Sequence, residues 1–125
     1  MSNRHILVVE DDPDGQEMIA TILTHLRFNV ETVNDAEEAS HVLFGTGNAP
    51  YDAIIIDLAL PGKDGWELLG EILDHAGTSG IPCIAVTAHH TSKLREETLR
   101  AGFVAYFPKP IDATALGRHL DTLIS

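Results

Sequence analysis

Cations are scarce in this chain: eight Lys and Arg stand against nineteen Asp and Glu, a formal net charge of −11. Direct nucleic-acid binding needs clustered cations to displace counterions, so this balance excludes it and suits a divalent cation or basic protein surfaces instead. Cysteine is nearly absent as well. Cys83 stands alone, which excludes an internal disulfide and fits a reducing cytoplasm. It lies inside an apolar run, where a packing role is expected rather than a reactive thiol. No apolar stretch approaches the roughly 20 residues that span a bilayer. The segment Met1-Ser2-Asn3-Arg4-His5 has no apolar core or small-residue cleavage site of a signal peptide. A cytoplasmic protein without a membrane partner is therefore expected. Seven histidines are present, but no pair has helical i, i+4 spacing beside a suitable carboxylate, so no zinc site is expected.

The apolar residues that are there alternate between strand and helix patterns from end to end. The run His5 to Val9 is followed by Asp12-Pro13, an N-cap and first helical position. The helix that follows carries Met18, Ile19, Ile22, Leu23 and Leu26 on one face at i, i+3/i+4 spacing. Asn29 to Val33 is half polar, as an edge strand is. Asp35 caps a second helix with Glu37 and Glu38 in its first turn and Ala36, Ala39, Val42 and Leu43 on its apolar side. Gly45 to Pro50 reads as a loop.

Ala53 to Ile56 is apolar without alternation, as a central parallel strand covered on both faces requires. Gly65 opens a helix carrying Trp66, Leu68, Leu69, Ile72 and Leu73, and Ile81 to Val86 is a fourth strand. A helix from Ser92 to Ala101 ends at Gly102, its apolar stripe a thin one of Leu94, Leu99 and Ala101. Val104 to Phe107 is a fifth strand, and a last helix from Asp112 to Ile124 buries Leu116, Leu120, Leu123 and Ile124. Five βα units without a linker imply an α/β fold, a single-domain, doubly wound (βα)5 parallel sheet of flavodoxin-like type with strand order 2-1-3-4-5. One domain over residues 1–125 is expected, with no output domain.

In such a sheet the carboxyl ends of the strands share one edge, where open α/β folds place ligands. Here Glu10-Asp11-Asp12 follow the first strand, Asp57 the third, Thr87 the fourth, and Lys109 stands between Pro108 and Pro110 after the fifth. Two unit charges about 4 Å apart repel by about 4 kcal/mol at an effective dielectric near 20. Either a carboxylate takes a proton or a cation sits among them. Carboxylates with open positions for water and phosphate describe a Mg²⁺ (or Mn²⁺) site, with Asp11 facing Asp57 across it and Asp12 serving as helix cap. Asp57 is then either a fixed ligand or a nucleophile that forms an aspartyl phosphate. Lys109 would bring a point charge to a phosphoryl oxygen and Thr87 a hydroxyl hydrogen bond. A cis Lys109-Pro110 bond would aim that lysine inward, and the sequence leaves the isomer open.

Four stretches in this order carry a family likeness: Ile6-Leu7-Val8-Val9-Glu10-Asp11-Asp12-Pro13, Asp57-Leu58-Ala59-Leu60-Pro61-Gly62-Lys63-Asp64-Gly65, Val86-Thr87-Ala88 and Tyr106-Phe107-Pro108-Lys109-Pro110. The chain resembles the receiver domain of bacterial two-component (phosphorelay) response regulators over all five βα units. Each stretch is weak alone, and together at these spacings they are specific. The family itself has the order 2-1-3-4-5, so topology and resemblance are not independent expectations.

The resemblance implies that Asp57 accepts a phosphoryl group from a phosphohistidine on a histidine kinase or histidine phosphotransfer protein. It implies that Asp11, the Asp57 carboxylate and the Ala59 carbonyl hold Mg²⁺, with Glu10 reaching it through water, while Lys109 and Thr87 bind the phosphoryl oxygens. It further implies a switch. Thr87 moves inward, Tyr106 rotates into the vacated space, and the face of the fourth helix, fifth strand and last helix changes for a downstream effector. The plain alternative for Tyr106 is a half-buried strand aromatic. The protein is not expected to be an enzyme beyond promoting its own phosphorylation and dephosphorylation. Ala59 and His89 occupy positions that in this family influence acyl-phosphate hydrolysis.

Other classes fit less well. A phosphatase of the haloacid dehalogenase type needs a second Asp two residues after the nucleophile, where this chain has Ala59. A flavodoxin-like phosphate cradle would be repelled by the three carboxylates after the first strand. A receiver excised from a hybrid kinase or longer regulator and a phosphorylation-independent interaction module stay open, although Met1 favours an N-terminal or complete protein. A monomer, or a weak phosphorylation-dependent dimer, is expected.

Overall fold

The computed structural model describes residues 4–45, 50–60 and 62–124. Residues 46–49 of the expected loop, Pro61 of the second motif stretch, residues 1–3 and residue 125 lie outside the described residues. The elements are β1 (His5–Val9), α1 (Pro13–His25), β2 (Asn29–Val33), α2 (Ala36–Phe44), β3 (Ala53–Asp57), α3 (Gly65–Asp74), β4 (Cys83–Thr87), α4 (Ser92–Ala101), β5 (Ala105–Pro108) and α5 (Ala113–Ile124). All strands run parallel in the order β2-β1-β3-β4-β5, the expected topology. The strand order turns back between β1 and β3, the position where such sheets leave a crevice at their carboxyl edge.

Each helix starts where a side chain satisfies its free amides. Asp12 accepts from Asp14 N–H before α1, Asp35 from Glu38 N–H before α2, and Thr91 from Leu94 N–H before α4. Asp64 and Glu67 form a reciprocal capping box at α3. Asp112 accepts from the amides of Thr114 and Ala115, so it caps α5 rather than opening it.

The sheet separates two apolar layers. Leu7, Val9, Ile54, Ile56 and Ala85 face α2 and α3, with Phe103 and Tyr106 completing that side. Ile6, Val8, Ile55, Ile84 and Val86 face α1 and α5, through Ile19, Leu23, Leu116 and Leu120. β1, β3 and β4 are buried on both faces, which accounts for their unbroken apolar runs.

Several expected core positions are corrected. Met18, Leu26, Leu73 and Leu99 are exposed. A helix lying on a flat sheet buries only the centre of its apolar arc, so residues at the edge of that arc stay in water. α4 is anchored even more thinly than expected. Leu94 is only half-buried, Leu99 and Ala101 are exposed, and the buried residue is Thr98. Its hydroxyl is satisfied by the Leu94 carbonyl at 2.7 Å. β4 begins at Cys83 rather than Ile81. Among the described residues no helix is long and apolar enough to cross a membrane.

Cys83 is the packing residue expected, 2 % exposed. Burial alone pushes its thiol from 9.0 up to about 12. The folded state therefore holds this proton more tightly than the unfolded chain. That contribution is complete below pH about 9 and is lost as pH rises toward about 12, at about 1.4 kcal/mol per pH unit. A disulfide reagent at neutral pH is expected to leave the folded protein unlabelled and to label one thiol in denaturant. Fast labelling of the native protein would contradict the burial.

Candidate functional site

The carboxyl edge gathers residues from four strands. Glu10 continues β1 and is held on β2 by its N–H, which donates to the Val33 carbonyl at 3.1 Å. Gln16 in the first turns of α1 reaches back, its side-chain amide donating to the Glu10 carbonyl at 2.6 Å and to Asn34 Oδ1 at 2.8 Å. Asp57 ends β3 and is 5 % exposed. Thr87 ends β4, and its carbonyl accepts the Lys109 N–H at 2.8 Å, carrying the sheet one residue past β5. The Lys109-Pro110 bond is cis.

Carboxylate oxygens of Glu10, Asp11 and Asp57 lie within 4.8 Å of one another. Glu10 is fully buried while Asp11 is exposed. Lys109 reaches between the two buried acids, its ammonium donating to the Glu10 carboxylate and to Asp57 Oδ2 at 3.1 Å. Ala59 N–H donates to Asp57 Oδ1 at 2.9 Å, and Asp12 N–H to Glu10 Oε2 at 3.3 Å. The electrostatic conflict anticipated from the sequence is met in both ways at once. Burial, then the neighbouring Asp57, pushes Glu10 up to about 7, against the pull of Lys109. Burial also pushes Asp57 upward, but the hydrogen bond with Glu10, the Ala59 amide and Lys109 outweigh it and hold Asp57 below the ordinary carboxylate range. Lys109 loses some charge preference to burial, yet both acids hold its pKa above the ordinary value. Asp57 is thus the more acidic of the two buried carboxyls. An all-oxygen donor set of this kind fits a hard divalent cation.

Residues 6–121 match the response regulator receiver domain. The chain belongs to that family. An uncharacterized 14.6 kDa protein of Leptolyngbya boryana is 33% identical over 118 residues, covering 94% of this chain and 88% of that protein. The transcriptional regulatory protein QseB of Escherichia coli O157:H7 is 33% identical over 119 residues, 95% of this chain but 52% of QseB, so the receiver spans about half of that relative. Among solved structures, the receiver domain of the sensor histidine kinase PA1611 from Pseudomonas aeruginosa PAO1 superposes with a TM-score of 0.86 at 34% identity, covering 98% of each chain. That protein has a magnesium ion coordinated in its active-site cleft.

In this receiver the remaining expected residues are placed as follows. Thr87 is buried, and its hydroxyl accepts from the His89 N–H at 3.1 Å. The ring of His89 is exposed. Ala59 is exposed and contributes backbone only, as its side chain requires. Tyr106 is 8 % exposed, and its hydroxyl shares a hydrogen bond of 2.9 Å with His90 Nδ1.

Two contributors, Gly15 and Gln16, were missed in the sequence, and Gly65 was read there only as the opening of a helix. Gly15 lies in the first turn of α1, where a Cβ would come within 2.8 Å of Glu10 Oε1. Gly65 lets α3 start against β3, since its Cβ would come within 2.8 Å of the Asp57 carbonyl. A glycine in the first turn of a helix is a poor intrinsic choice, and that was the available signal for both. Gln16 gave none, because a polar residue near a helix N-terminus is ordinary.

Proposed function

We propose that this receiver is a phosphoacceptor signalling domain in which Asp57 takes a phosphoryl group from a phosphohistidine on a histidine kinase or histidine phosphotransfer protein. The observation that carries this reading is the state of Asp57. It is a nearly buried carboxylate at a strand end, with an ammonium and a backbone N–H already on its oxygens. A carboxylate oxygen of Asp57 attacks phosphorus as the phosphorus–nitrogen bond breaks and its electron pair stays on the donor nitrogen, leaving an acyl phosphate on Asp57 and, with a proton already on the other ring nitrogen, a neutral imidazole on the donor. The reaction needs positioning and charge neutralisation more than a base.

Asp11, Asp57 and the Ala59 carbonyl would hold Mg²⁺ (or Mn²⁺), with Glu10 acting through water. The cation supplies charge neutralisation at the transferring phosphoryl oxygens. The acidic cluster and the magnesium-bound relative support this assignment. Lys109, held between Glu10 and Asp57, would follow the charge onto a phosphoryl oxygen, and the Thr87 hydroxyl would supply a second contact. Phosphorylation then biases Thr87 and Tyr106, and with them the α4-β5-α5 face read by an effector protein in the cytoplasm. The lightly anchored α4 suits a movable element.

The test is intact mass after incubation with Mg²⁺ and acetyl phosphate. A gain of one phosphoryl group that chelation of Mg²⁺ abolishes is expected. No gain, with Mg²⁺ binding confirmed by titration, would make the domain a phosphorylation-independent interaction module. His89 offers a finer check. His89→Ala is expected to change the dephosphorylation rate more than the phosphorylation rate, followed by mass after removal of donor. Equal rates in variant and parent would remove His89 from the mechanism.

A further inference from the structure

We infer that Lys63 is a positioning residue for the metal and phosphoryl site, acting by fixing the β3–α3 loop on which Ala59 sits; this rests on the functional reading above. The loop is tied at both ends. At its start Leu58 N–H donates to the Val86 carbonyl at 3.0 Å and Ala59 N–H to Asp57 at 2.9 Å. Leu58 and Leu60 are buried in the apolar layer beneath. At its end Gly62 turns the chain with a φ of 68°, in the left-handed region. Lys63 N–H then donates to Glu37 Oε2 at 3.3 Å.

The Lys63 side chain adds what neither end has. Its ammonium donates to Ser40 Oγ at 2.8 Å on α2 and to both oxygens of Glu71, at 2.8 and 2.9 Å, on α3. The Ser40 hydroxyl donates to Glu71 Oε1 at 2.8 Å, closing the network. Burial works against the Glu71 charge, yet Lys63 and Ser40 hold its carboxyl below the ordinary range. A lysine has three N–H donors, and all three are engaged here with the helices flanking the loop. None of these partners belongs to the acidic cluster. A carbonyl that is to bind a cation must point in a set direction, and outer contacts that orient a ligand commonly tune metal affinity. On this inference the clasp holds the chain just after Gly62, and through it the direction of the Ala59 carbonyl.

Calorimetric titration of Mg²⁺ into the parent, Lys63→Met, Lys63→Arg and Glu71→Gln tests this. The parent is expected to bind. Lys63→Met and Glu71→Gln should bind roughly ten-fold more weakly, the lower end of the range for outer contacts. Lys63→Arg, which keeps a cation and a bidentate partner for Glu71, should recover most of the loss. Phosphorylation by acetyl phosphate should slow in Lys63→Met at limiting Mg²⁺ and recover at saturating Mg²⁺. Unchanged Mg²⁺ affinity in folded Lys63→Met, with the parent binding, would overturn the inference and leave the functional reading intact. A parent that binds no Mg²⁺ would overturn both.

Discussion

Asp57→Asn is expected to gain no phosphoryl group from acetyl phosphate in Mg²⁺, under conditions where the parent gains one. The amide is close to the carboxylate in shape, so the strand end is kept. What goes is the anion that attacks phosphorus and one of three carboxylates able to hold the cation. A second readout separates loss of chemistry from loss of fold. Without metal the parent keeps two buried acids against one ammonium, and Glu10 is pushed up partly by Asp57. Removing the Asp57 charge leaves Glu10 and Lys109 as a matched pair. The variant should therefore unfold at a temperature equal to or above the parent's in chelator, and below the parent's in excess Mg²⁺. Phosphorylation of the variant to the parent's extent would move the acceptor elsewhere. A variant much less stable in chelator would mean that Asp57 serves the fold rather than the site.

Gly65→Ala is the second large effect. Gly65 is the first residue of α3, and a Cβ there would stand 2.8 Å from the Asp57 carbonyl oxygen, 3.0 Å from Ile56 Cγ2 and 3.1 Å from Leu58 Cα. Two of these atoms are backbone of β3 and its continuation, so relief requires moving the helix start or the strand end that carries the acceptor. Overpacking of this kind costs about 1–3 kcal/mol. It should appear as a lower urea midpoint at unchanged slope, together with slower phosphorylation at every Mg²⁺ concentration. Gly70→Ala is the control. It lies in the same helix, and a Cβ there meets nothing within 4 Å. Exchanging an open helical glycine for alanine stabilises by up to about 1 kcal/mol. A Gly65→Ala variant as stable as the parent would show that α3 is free to slide on β3.

The strands of this receiver were legible because parallel strands covered on both faces leave unbroken apolar runs, and residues 6–9, 53–56 and 83–86 are such runs. Helix starts were legible for a local reason, since Asp12 and Asp35 cap amides two and three residues away. The thin face of α4 was seen, but not that Leu99 would be exposed and Thr98 buried. The phase of a ten-residue helix on its support depends on neighbours that the local pattern does not contain.

The sequence by itself determined the elements and the set of side chains that follow the strands, because periodicity and capping act over a few residues; the order of the strands in the sheet followed from the βα alternation only together with the family resemblance. Only the tertiary structure decided how those side chains share charge. Glu10 rather than Asp11 is the buried acid, and Lys109 crosses 99 residues of sequence to stand between it and Asp57. The clasp of Lys63 on Ser40 and Glu71 arises in the same way, from two helices brought together by the sheet. Such contacts depend on distances between elements, and those exist only once the five βα units have packed.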